Sequence, residues 1–225
     1  MKTTNLFFGH GLKLVLAFLV LTVSQSAMAQ PGAAEVIAGQ GGSAGRLTFQ
    51  YVGRNIVTSV TGPGAGQSFT VGYYTYIAGV SGPLFSGPGT PRAASAYFTF
   101  RSEPYSFSTF PNENTAVRTV SPGFLIKLYY NQAPDQDFDD ADTFSDGQLI
   151  ATFKVVTSQA IRVDNTAVQE ASLELLSSRP FRFGGKIYMI RAIVPHGVTL
   201  MSTGTAVSVD ADYTSFAYSG SAIAY

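Results

Sequence analysis

Alternation of apolar and polar residues runs through this chain, and it leaves few folds available. Leu47, Phe49 and Tyr51 fall on one face of an extended segment, with Thr48 and Gln50 on the other. Side chains alternate across a strand with a period of two, so this pattern predicts a half-buried strand. Asn55 to Val60 reads as its returning partner. Further strands are expected over Ser68 to Ile77, Ala94 to Arg101, Thr115 to Val120, Gln148 to Thr157, Val198 to Ser202, Thr205 to Tyr213 and Ser215 to Tyr225, while Phe124 to Tyr130 and Lys186 to Val194 are nearly continuous in apolar residues and read as buried strands. Gln159 to Val163 extends the Gln148 strand past a bulge.

Gly- and Pro-rich breaks separate these runs, as at Thr61–Gly66, Gly82-Pro83 and Gly87-Pro88-Gly89. Strands do not alternate with long helices, which argues against a parallel sheet. One segment is ambiguous. In Thr166 to Leu176 a capping box of Thr166 and Gln169, with Val168, Ala171 and Leu175 on one side, supports a helix, whereas Ala171, Leu173 and Leu175 support a strand. The expected fold is all-β, an antiparallel β-sandwich or small β-barrel of about 8–10 strands with at most one short helix.

The first residues read as an export signal. Lys2 and Lys13 precede the apolar run Leu14–Val23, and Ala27-Met28-Ala29 fits a cleavage site. The expected organisation is a signal peptide over 1–29, a flexible Gly/Ala-rich arm over 30–45 and a single all-β domain over 46–225. Cleavage after Ala29 leaves 196 residues, ample for a real core. The expected location is therefore secreted or periplasmic, with no transmembrane helix once the signal is removed.

Composition removes several functions. Without Lys2 and Lys13, twelve basic residues face fourteen acidic ones, and there is no Lys/Arg run, so nucleic acid is not expected as a partner. The chain has no cysteine, which excludes disulfides, thiol catalysis and cysteine-held iron–sulfur clusters. His196 is the only histidine after residue 29, so a multi-histidine zinc site is excluded. Gly41-Gly42-Ser43-Ala44-Gly45 matches the nucleophile-elbow pattern, but a strand follows it where an elbow needs a helix. Glu103, Glu113, Glu170 and Glu174 are the glutamates that a carboxylate-based hydrolase would have to bring together. No catalytic set is assigned.

Chemistry concentrates in Asp135–Gly147, which carries six of the fourteen acidic residues. Asp135, Asp137, Asp139 and Asp146 occupy the first, third, fifth and twelfth positions of a calcium-loop-like ladder. The sixth position, normally glycine, is Asp140. A calcium-ligating loop between two strands is the metal expectation, with affinity on the order of 10⁻⁴ to 10⁻³ M. The competing reading is a solvated acidic turn that discourages edge pairing.

The leading functional expectation is a secreted non-catalytic β-domain that binds or builds at the cell surface, periplasm or matrix. One alternative is a small secreted β-barrel hydrolase or isomerase using carboxylate and tyrosine groups. Another is a self-associating matrix protein. Carbohydrate, a small apolar ligand or a protein are the partners consistent with the aromatic clusters Tyr73-Tyr74-Tyr76, Tyr105-Phe107-Phe110 and Tyr129-Tyr130. Sequence alone names no binding residue. An outer-membrane barrel would also carry an export signal and end on an aromatic strand, but Ser219 and Ser221 fall where lipid-facing residues belong.

Overall fold

A computed structural model describes residues 45–58, 67–209 and 213–225. The signal segment and nearly all of the N-terminal arm lie outside these residues. The strands are β1 (Leu47–Thr58), β2 (Gln67–Ile77), β3 (Phe98–Ser102), β4 (Tyr105–Asn112), β5 (Thr115–Val120), β6 (Leu125–Tyr130), β7 (Gln148–Val163), β8 (Thr166–Ser178), β9 (Pro180–Phe183), β10 (Lys186–Met189), β11 (Gly197–Val209) and β12 (Tyr213–Ala224). One helical turn, α1 (Ile190–Ile193), follows β10. Two single 3₁₀ turns, Ala93–Ser95 and Ala141–Phe144, sit in loops.

The architecture is a closed eight-stranded antiparallel barrel with extra strands. β3 and β4 both pair with β2 and act as two halves of one broken strand. β5 and β6 do the same against β7. The breaks fall at Glu103-Pro104 and at Ser121–Phe124, where proline and glycine interrupt the ladder. β12 pairs with β1 and β1 with β2, so the sheet closes on itself. Two hairpin turns, Glu113-Asn114 and Asp164-Asn165, place Glu113 and Asp164 at φ +50°, as tight hairpins require.

Several sequence expectations are corrected and one ambiguity, at Thr166–Leu176, is resolved; Val198–Ser202 and Thr205–Val209, for instance, belong to the single strand β11. The segments around Leu47 and Asn55 are one continuous strand and not a hairpin; Gly53 lies mid-strand. A Cβ there would come within 2.6 Å of the Tyr218 hydroxyl, so the glycine makes room for a ring. Thr166–Leu176 is strand β8, with Ala171, Leu173 and Leu175 buried on the inner face. Lys186–Val194 is not a single strand: it turns into α1 at Ile190. As expected, β7 runs through to Val163, with a register shift between Val155 and Thr157.

The β9–β10 hairpin plugs one end of the barrel. Its turn, Gly184-Gly185, has φ of +55° and +79°, a conformation glycine adopts freely. Phe181, Phe183 and Tyr188 are buried. Phe183 meets Phe98 edge-on at 5.0 Å between ring centroids, and Phe181 meets Tyr130 at 5.9 Å. The Tyr188 hydroxyl lies 2.8 Å from Ser81 Oγ. Ile190, Ile193 and Val194 complete this apolar floor. Full burial of such side chains stabilises by roughly 1.5–3 kcal/mol each.

Candidate functional site in the barrel lumen

Above the floor the lumen contains two cavities. The inner one, of about 70 Å³, is lined by Phe49, Tyr51, Tyr74, Phe100, Phe153 and Leu173 among others. The outer one, of about 80 Å³, lies toward the opposite end and is lined by Phe107, Arg118, Arg162, Phe216 and Ser68 among others. Asn55, Tyr105, Gln169, Ser202 and Tyr218 line both, so the cavities meet at a belt of neutral hydrogen-bonding groups.

Each belt residue is an inward position of an alternating strand. The Asn55 side-chain amide donates to the Tyr105 hydroxyl. The Tyr218 and Thr70 hydroxyls share a hydrogen bond. Gln169 Nε2 donates to Ser158 Oγ at 3.0 Å. The Tyr51 hydroxyl reaches the Met201 carbonyl at 3.4 Å. Glycines seat the rings: a Cβ on Gly220 would lie 2.6 Å from Tyr51 Cζ.

Burial pushes the hydroxyls of Tyr51, Tyr74, Tyr105 and Tyr218 above the ordinary value of 10.0. Hydrogen bonds from Asn55 to Tyr105 and from Thr70 to Tyr218 oppose that rise without cancelling it. These phenols are therefore neutral near pH 7 and act as donors and acceptors, not as bases. Among the described residues no Asp, Glu or His lines either cavity.

The outer cavity differs in charge. Arg118 on β5 and Arg162 on β7 both face it. Burial lowers the Arg118 pKa, and the neighbouring Arg162 charge lowers it further. Arg118 stacks over Phe107 at 4.5 Å and Arg162 over Phe216 at 5.4 Å.

No protein-family model matches the chain, and neither a curated protein nor a solved structure matches it.

The acidic loop, where sequence concentrates chemistry, lies outside the lumen against β2 and β3. Phe138 packs on Tyr73 and Phe144, and Arg54 sits 4.6 Å above its ring. Arg101 donates to the Ala141 carbonyl at 2.8 Å and pairs with Asp142. Thr99 Oγ1 donates to the Phe144 carbonyl at 2.9 Å.

The four predicted ligands make local contacts, partly with one another. Asp137 accepts from the Asp139 amide at 3.0 Å, and Asp139 lies 4.0 Å from Arg54. Asp146 accepts from Asn131 at 2.9 Å, and burial with the nearby Asp135 raises its pKa. Asp140 caps the 3₁₀ turn through the Asp142 amide. Among the described residues no group of three or more Asp, Glu, His or Cys is placed to hold a metal ion.

The lumen residues carry a weak sequence signal, a polar residue inside an otherwise apolar strand face. Gln169 shows why it is easy to misread: its place in the capping-box pattern suggests a helix start, whereas it points into the barrel.

Proposed function

We propose that this chain is an exported, non-catalytic binding protein that takes a small, partly apolar molecule into its barrel. The observation that carries this reading is the pair of cavities joined at the Asn55–Tyr105–Tyr218 belt inside an otherwise packed barrel. Protein interiors are close-packed, with few voids larger than a water molecule. Here aromatic walls and neutral donors converge on the free space, as ligand pockets require.

The volumes limit the guest. An apolar cavity of about 150 Å³ accommodates benzene, and the two cavities here are about 70 and 80 Å³. Each is about half that size, so a single ring or a short aliphatic chain fits only by using both across the shared belt; a drug-sized ligand, which needs about 300 Å³ or more, does not fit. Among the described residues the lining offers neutral tyrosine, asparagine, glutamine and serine groups and two arginines, which favours binding over acid–base catalysis. The Lys2–Ala29 pattern supports export.

Thermal shift with toluene, p-cresol and indole tests the reading. A guest that binds only the folded state raises Tm. The wild type should respond to at least one probe, and Ala171→Leu, which fills the inner cavity, should not. Silence from the wild type across the panel, or an equal response in the variant, overturns it.

A further inference from the structure

We infer that Arg118 and Arg162 form an anion site at the outer end of the lumen that recognises the carboxylate of a small monoanionic ligand whose apolar part points inward past the tyrosine belt. This rests on the lumen being a binding site.

The register places the two arginines together. Arg118 pairs with Ala160 and Arg162 with Ala116, so they are diagonal neighbours on the inner face of β5 and β7. Like charges at adjacent inward positions destabilise a sheet, and a partly buried cation is costly without a partner. The described residues form three ion pairs, Arg54–Asp139, Arg101–Asp142 and Lys127–Glu103, and neither lumen arginine joins one. Arg162 Nε is satisfied by the Asp164 carbonyl at 2.8 Å. Arg118 Nε is buried without a hydrogen-bond partner, as is Ser68 Oγ in the same cavity.

An incoming carboxylate answers each of these features. It offsets one of the two adjacent positive charges and accepts from guanidinium N–H groups, whose planar fork matches its two oxygens. Phe107 and Phe216 hold the two guanidiniums from behind by stacking, which leaves their edges to donate. The belt beyond supplies neutral donors and acceptors, and the inner cavity supplies aromatic walls. The preferred guest is therefore a small aryl or short aliphatic acid.

Calorimetric titration of the folded protein with phenylacetate, its neutral isostere phenylacetamide and inorganic phosphate separates the outcomes. Phenylacetate should bind the wild type about tenfold or more tighter than the amide, as a charge-assisted hydrogen-bond pair allows. That preference should disappear in Arg118→Gln/Arg162→Gln while amide binding persists, and it should weaken with added salt. Arg118→Lys, which keeps the charge but loses the fork, should retain only part of it and serves if the double variant does not fold. Equal binding of acid and amide, or a preference that survives the substitutions, overturns the anion site and leaves the lumen reading standing. Phosphate binding as tightly as phenylacetate overturns the carboxylate assignment. Failure of both acid and amide to bind the wild type counts against the lumen and the anion site together.

Discussion

The Asn55 amide on β1 donates to the Tyr105 hydroxyl on β4, two strands that do not pair with each other. Both strands pair with β2, so the bond spans that strand on the inner face and fixes the belt where the two cavities meet.

Tyr105→Phe removes the acceptor and leaves the Asn55 amide unsatisfied in a partly buried site. The expected cost is about 1–3 kcal/mol, or a Tm fall of about 2–4 °C per kcal/mol for a chain of this size. Asn55→Ala/Tyr105→Phe should be less destabilised than the sum of the single variants, because the pair is coupled. Strict additivity in thermal melts would show that the two side chains do not interact.

Alkaline pH should unfold the barrel through its buried phenols. Tyr51, Tyr74, Tyr105 and Tyr218 have folded values raised above the ordinary 10.0 by burial. A raised folded value means the proton is held more tightly in the folded state, so the stability this provides is complete below about pH 10 and is lost as pH rises beyond it. Phenolate absorbance of these four should appear together with loss of near-ultraviolet circular dichroism. Ionisation of all tyrosines near pH 10 with tertiary structure intact would contradict the buried network.

In the acidic loop the carboxylates are expected to act locally. Chelator should leave Tm unchanged, while Arg101→Ala, which removes the contacts to Ala141 and Asp142, should lower stability by about 1 kcal/mol. A Tm drop on chelation, restored by millimolar calcium, would instead establish Asp135, Asp137, Asp139 and Asp146 as ligands. Asp146 supplies a second readout. Its raised pKa means that protonation favours the folded state, so its contribution improves as pH falls through its folded value. Asp135→Asn should move its NMR titration midpoint downward.

Much of the fold was legible because strand periodicity is local. Phe49 and Tyr51, Phe98 and Phe100, and Leu173 and Leu175 announce inward faces, and all are buried. Errors arose where the period was degraded. Val168 and Leu176 are apolar yet exposed, and with Ala171 and Leu175 they imitate a helical stripe on β8. The Ile187–Val194 run is almost continuously apolar, so it carries no phase from which to read the turn into α1. The lumen site was not legible for a different reason. Arg118 and Arg162 meet only through the register of β5 on β7, and Asn55 and Tyr105 only because β1 and β4 both pair with β2. The aspartates are conspicuous because they are adjacent in sequence, and that adjacency gives them neighbours in the same turn.

The seam of the barrel joins Leu47 to Ile223, so the first strand waits for the last. During synthesis from the N-terminus, β1 can pair with β2 early, but its other edge stays unpaired until β12 emerges. With only 12% charged residues along the chain, that edge is poorly defended against pairing with a second molecule. Losing the final strand would open both β1 and β11 at once and turn a sealed cylinder into a sheet with two adhesive borders. Barrel closure by β12 thus leaves neither β1 nor β11 with an open edge toward the other.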